Sequence, residues 1–139
     1  MTDRLYYISA LLMSIDKKKA SSSYLYGLTS EVLVAEYLVA NGYAVLENRY
    51  RTPYGELDLI ATKKGILIFC EVKARKKANV FCLISERQKL RNTNAALFFL
   101  SQSQEYVHYE ARFDFFLVLQ DRIEMHIENA WECHIDLAV

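Results

Sequence analysis

The triplet Lys63-Lys64-Gly65 separates two apolar runs, residues 56–61 and 66–74, and it constrains the fold more than any other feature of the chain. Two runs with strand character joined by a short glycine-containing turn form a β-hairpin. A third run of the same kind covers 44–51, so three consecutive strands occupy the middle of the sequence. On either side the period changes. Leu28, Val32, Ala35 and Leu38 recur at helical spacing, and Asn41-Gly42 is a stop signal, which predicts a helix over 23–41. A second helix is predicted over 85–101, with Leu90, Ala95, Leu97, Phe98 and Leu100 supplying apolar contacts. Residues 115–119 and 123–127 then read as a last hairpin around 120–122. Four glycines and one proline are too few for an all-β protein built on tight turns. The expected fold class is therefore α/β, a mixed β-sheet flanked by helices in the order α-β-β-β-α-β-β.

A chain of 139 residues is the size of one domain, and its 53% hydrophobic and 24% charged residues suit a folded core. No repeat, low-complexity stretch or linker divides it. Residues 1–20 read as an apolar and basic extension, and 21–139 as the domain. The apolar stretch 5–15 is shorter than the roughly 20 residues a bilayer span needs. Lys17, Lys18 and Lys19 follow it where a signal peptide would have a small-residue cleavage site. No membrane association is expected. The stretch reads as an appended helix, as a contact for a partner or a second copy, or as sequence upstream of a start at Met13. Cys70, Cys82 and Cys133 are odd in number and lack CxxC spacing, which fits a reducing, cytoplasmic setting better than disulfides or thiolate zinc.

The formal net charge is zero, but its distribution is uneven. Residues 49–91 hold eleven Lys/Arg against four Asp/Glu, and the rest of the chain has the opposite excess. A basic face of this kind attracts a polyanion, and it also arises when basic strands and acidic helices balance for solubility.

The chemistry concentrates in Gly55-Glu56-Leu57-Asp58-Leu59-Ile60 and Phe69-Cys70-Glu71-Val72-Lys73. Strand alternation sets Asp58 opposite Leu57 and Leu59, and it puts Glu71 and Lys73 on one face with Cys70 and Val72 on the other. If Lys64-Gly65 is a two-residue loop, Lys63 pairs with Ile66 and Asp58 falls opposite Glu71; a one-residue change in the turn separates them. Two facing carboxylates repel, and a hard divalent cation relieves that repulsion. Lys73 beside them can hold a water or stabilise charge on a phosphate. The same residues also make an ordinary solvated pair on an exposed sheet face. His126, Cys133 and His134 have no recognised metal spacing, and there is no glycine-rich phosphate loop or GxSxG.

A longer set of motifs adds to this reading. Gly27-Leu28-Thr29-Ser30-Glu31, Ala35-Glu36-Tyr37-Leu38, Gly42-Tyr43, Asn48-Arg49-Tyr50-Arg51, Tyr54 to Ala61, Phe69 to Arg75, Arg112-Phe113-Asp114 and Ile127-Glu128-Asn129-Ala130 occur in order. Over residues 24–131 the chain resembles the YraN-like family, which is related to archaeal Holliday-junction resolvases and to the PD-(D/E)XK nuclease superfamily. The resemblance implies a restriction-endonuclease-like core. It also implies Asp58 and Glu71 as metal ligands, Lys73 as the catalytic lysine and Glu31 as an additional acidic residue near the metal. Glu31 is equally readable as a helix-surface acid. Glu56 is a further ligand or a partner of Arg51 or Lys73, and Arg112 with Asp114 reads as a structural salt bridge. The segment 85–91 does not align cleanly with the family, so no catalytic role is assigned there.

The expected function is a Mg²⁺- or Mn²⁺-dependent DNA endonuclease acting on branched or single-stranded forms. Arg49, Arg51, Arg75, Lys76, Lys77 and Lys89 are the candidate phosphate contacts. A homodimer would place two such sites on two strands. The alternatives are a nuclease-like domain that binds nucleic acid without cutting it, and a scaffold that docks a protein through its N-terminal apolar segment.

Overall fold

The computed structural model describes residues 22–76 and 84–132, with side chains from residue 28 onward. Helix α1 (Ser22–Ala40) is followed by β1 (Ala44–Thr52), β2 (Gly55–Lys63) and β3 (Ile66–Arg75). Helix α2 (Glu86–Gln102) and a short 3₁₀ turn at Gln104–Tyr106 lead into β4 (Glu110–Leu119) and β5 (Arg122–Trp131). The strands form one sheet in the order β1-β2-β3-β4-β5. The β3–β4 pair is parallel, and the other neighbours are antiparallel. The expected α/β class and element order are thus present, with α2 as the crossover that a parallel pair requires.

Local chemistry sets the ends of these elements. Gly42 takes φ +89° after α1, and the Tyr43 N–H donates to the Leu38 carbonyl at 2.9 Å, a left-handed helix stop. Ser85 caps α2 by accepting from the Gln88 N–H at 3.1 Å. The β2–β3 turn places Lys64 and Gly65 at φ +47° and +79°, and the β4–β5 turn places Gln120 and Asp121 at +47° and +61°. Both central residues of each loop are left-handed, as two-residue hairpins favour.

One helix covers each face of the sheet. Val34, Ala35 and Leu38 of α1 pack with Leu59, Ala61, Ile68, Cys70, Phe116 and Val118. Ala95, Ala96 and Phe99 of α2 pack with Ile60, Leu67, Phe69, Phe113 and Trp131. Alternating residues of β3 go to opposite layers, so this central strand is buried on both sides and reads as a continuous apolar run.

The structure differs from the sequence reading in several details. Leu90, read as an apolar contact of the second helix, is exposed, and Ala96 and Phe99 join Ala95 on its buried face. β4 begins at Glu110, five residues before the predicted start at 115, because it pairs along its whole length with β3. Strict alternation also fails around Asp58. Leu57 joins the α2-side core, whereas Leu59 joins the α1-side core. Across from Asp58, Arg49 adopts φ +49°, a left-handed conformation that is uncommon outside glycine. The β1–β2 register runs unbroken through this point, from Asn48↔Leu59 to Tyr50↔Leu57, and the bulge of this pair lies between Val45 and Glu47.

Candidate active site

The hairpin places the carboxylate residues through its register. Lys63 pairs with Ile66 as the two-residue loop requires, and the ladder runs back to Leu59 and Cys70. The next step, a direct Asp58–Glu71 pair, is not formed. Asp58 Oδ2 instead accepts the Val72 N–H at 2.8 Å, so a carboxylate takes the place of a backbone carbonyl. Between Gly55 and Asp58, β2 stays paired with β1 but not with β3, and the Asp58 side chain makes the contact to β3 that its backbone does not.

Glu71 is 5% exposed. Its Oε1 lies 3.1 Å from Lys73 Nζ, and its Oε2 accepts from Asn92 Nδ2 of α2 at 3.2 Å. Asn92 Oδ1 in turn accepts from Gln88 Nε2 at 2.9 Å. Both oxygens of Glu71 are therefore held, one by a cation on its own strand and one by a buried amide on the crossover helix. Glu31 of α1 is also buried, and its Oε2 accepts from Arg49 Nε at 2.9 Å.

The electrostatics are unbalanced at Asp58. Burial pushes its carboxyl well above the usual range, and the charges of Glu71 and Glu31 add to the rise. The Val72 N–H and Lys73 oppose it without cancelling it. Glu31 is raised as well, by burial, with Arg49 working in the other direction. Among the described residues no three His, Cys, Asp or Glu side chains converge closely enough to hold a metal ion by themselves. Asp58 and Glu71 form the inner pair, and Glu31 is turned to Arg49.

The basic candidates scatter around this centre. The Arg51 side chain is open to solvent and sits 3.4 Å from Glu56, as one of the alternatives read for that acid has it. Arg75 Nη1 donates to the Ala74 carbonyl, and Lys76 is exposed. Lys89 pairs with Glu86 at 3.0 Å on α2. Arg49 is committed to Glu31. Lys77, Cys82, Cys133, His134 and the apolar stretch 5–15 lie outside the described residues.

A second polar cluster sits on β4 and is structural, as the Arg112–Asp114 pair suggested. Arg112 makes a bidentate contact to fully buried Asp114 at 2.7 and 2.9 Å. The Tyr43 hydroxyl, His126 Nε2 and the Asn129 N–H complete the network. His126 is accounted for here, beside Asp114.

Sequence reasoning missed Asn92 and Gln88. Their signal was present: a polar pair four residues apart precedes Ala95, Ala96 and Phe99 on the buried side of α2, and a buried amide needs a polar partner.

The fold and site define a class: an α/β domain with a nuclease-like core, carrying two carboxylates and a lysine on its inner strands. The chain belongs to the uncharacterised protein family UPF0102, whose model matches residues 30–118. It is 39% identical to a UPF0102 protein of Rhodopseudomonas palustris strain BisA53 over 107 residues, covering 76% of this chain and 82% of the relative. A UPF0102 protein of Nitrobacter winogradskyi is 38% identical over the same length, covering 76% of this chain and 91% of its own. Among the described residues no helix is long and apolar enough to cross a membrane.

Proposed function

We propose that the protein is a divalent-metal-dependent endonuclease that hydrolyses phosphodiester bonds of branched or single-stranded DNA in the bacterial cytoplasm. The observation that carries this reading is the Asp58–Glu71–Lys73 arrangement. Two carboxylates sit beside each other at the point where β2 and β3 part, and the lysine next to them is taken by Glu71.

The donor set suits a hard cation. Asp58 and Glu71 offer oxygen ligands, while the thiol of Cys70 is buried in the α1-side core. Mg²⁺ and Mn²⁺ take one or two protein carboxylates and fill their remaining positions with water and phosphate oxygens. A cation held there would supply Lewis acidity toward the scissile phosphate. The burial that raises Asp58 also strengthens its attraction to such a cation.

The chain's own groups do the rest. The Val72 N–H fixes Asp58 in one orientation. Lys73 presents an ammonium at the same place, where it stabilises negative charge growing on phosphate oxygens and orients an attacking water. Arg51, Arg75, Lys76, Lys77 and Lys89 contact the sugar–phosphate backbone. Such contacts are salt-dependent and largely indifferent to base sequence.

The test is Mn²⁺-dependent cleavage of labelled duplex, single-stranded, flapped and four-way DNA by wild type and by Asp58→Asn. Cleavage that disappears in the variant and with EDTA supports the reading and identifies the substrate form. No cleavage, or equal cleavage by both proteins, removes it. The second reading would then lead: a domain of the same fold that binds nucleic acid without cutting it. The Arg49–Glu31 pair favours that alternative, because it occupies the third carboxylate.

A further inference from the structure

The amide pair on α2 has no part in the proposed chemistry, yet it reaches the centre of the site. We infer that Asn92, oriented by Gln88, is the positioning residue that fixes the Glu71 carboxylate and thereby sets the affinity of this site for a divalent cation. The inference rests on the metal reading above and names a residue of the same site.

Three facts carry it. Asn92 is 2% exposed, so burying its amide is costly unless both ends are bonded. Both are: Nδ2 donates to Glu71 Oε2 at 3.2 Å, and Oδ1 accepts from Gln88 Nε2 at 2.9 Å. The chain of bonds also has a direction. The Glu71 carboxylate only accepts, so Asn92 turns its N–H₂ to it and its oxygen to Gln88 Nε2, while Gln88 Oε1 faces the donor Arg91 Nη2 at 3.5 Å. The carboxylate therefore always meets a donor on that side, and the lone pairs left for a cation are the same in every molecule. Lys73 holds the other oxygen at 3.1 Å but is a flexible point charge, so the rigid half of the clamp is the amide. Groups that hydrogen-bond to metal ligands commonly change metal affinity by about 10–100-fold when removed.

Three variants separate this role from simple packing. Asn92→Leu keeps the branched outline and removes the donor. Gln88→Glu touches nothing on Glu71 but sets an acceptor against Asn92 Oδ1, and the repulsion pushes Asn92 out of the position from which it donates to Glu71. Gln88→Met keeps the bulk and removes the donor without imposing that repulsion. The measurement is Mn²⁺ binding by titration calorimetry with MnCl₂ alone, with thermal unfolding in EDTA as the check on folding. The expected result is a loss of affinity of about tenfold or more for Asn92→Leu and for Gln88→Glu, and a smaller loss for Gln88→Met. Should Asn92→Leu fail to fold, the two position-88 variants alone decide. Wild-type affinity in Gln88→Glu, or equal losses in both position-88 variants, would overturn the positioning role and leave the metal reading intact. A wild-type protein that binds no Mn²⁺ would overturn both.

Discussion

Asp58 accepts the backbone N–H of Val72 at 2.8 Å, through a side-chain oxygen standing where the neighbouring strand would ordinarily offer a carbonyl. The bond makes the acid part of the sheet, and the energetic strain of its charge is thereby built into the fold.

That strain gives a first prediction. The Asp58 carboxyl is raised on folding, above its ordinary 3.8, by burial and then by Glu71 and Glu31. A group raised in this way supports the folded state at low pH, and that support is lost as pH rises through the folded value. In the absence of metal, Asp58→Asn should therefore raise the unfolding midpoint at neutral pH by about 3 °C, the effect of roughly 1 kcal/mol on a domain of this size. The gain should vanish near the ordinary Asp range, and DNA cleavage should be abolished throughout. Differential scanning calorimetry across pH in EDTA checks the stability effect, and an equal or lower midpoint at neutral pH would contradict it.

Lys73 should behave in the opposite way. Lys73→Met leaves Glu71 buried with only the Asn92 amide, a loss of about 2 kcal/mol in urea unfolding. Adding Glu71→Gln should return most of that loss while activity stays absent. If the double variant is as unstable as the single, the lysine acts through its packing and its charge is incidental.

The β4 cluster predicts the acid limb of stability. Burial works to raise Asp114, but His126, Arg112 and the Asn129 N–H outweigh it and hold the carboxyl below 3.8. Its contribution is fully present above the ordinary Asp value and is lost as pH falls through the lower folded value. Asp114→Asn, which strands a part-buried Arg112, should cost about 3 kcal/mol at neutral pH. The gap between variant and wild type should close as pH drops below about 4. A gap independent of pH would assign the cost to geometry.

For the basic surface, Arg51→Ala and Lys76→Ala should weaken DNA binding equally across unrelated sequences. Removing one phosphate-binding side chain should flatten the plot of log affinity against log salt by about 0.9 for duplex DNA and about 0.7 for single strands. Fluorescence anisotropy at several salt concentrations reads this directly. An unchanged slope would remove both residues from the interface.

How much of this was legible in the sequence depends on how local each feature is. The Lys63-Lys64-Gly65 turn fixed the hairpin register, because a glycine that accepts φ +79° marks such a loop at once. The stop at Gly42 was readable for the same reason. The start of β4 was not, since Glu110, Ala111 and Arg112 carry no strand pattern and are recruited by pairing with β3. Asp114 required Tyr43, His126 and Asn129 to converge from separate parts of the chain. The change of layer between Leu57 and Leu59 has no glycine or proline between them to announce it, and the left-handed residue across from it, Arg49 at φ +49°, is an ordinary one. Asn92 was missed because the segment 85–91 lacked a recognisable motif, although a polar pair on the buried side of a helix was visible beneath it.

The change of layer in β2 has a consequence for how the domain tolerates change. Leu57 and Leu59 belong to different layers, so the strand hands over from one core to the other within a single step. Substitutions along it alter the fit of one layer at a time. A one-residue insertion or deletion between them would reset which side chains every later position delivers, emptying both cores and carrying Asp58 away from Val72. Chain length across this short stretch is thus under tighter control than side-chain identity, and a domain of this kind is free to drift in composition far more readily than in count.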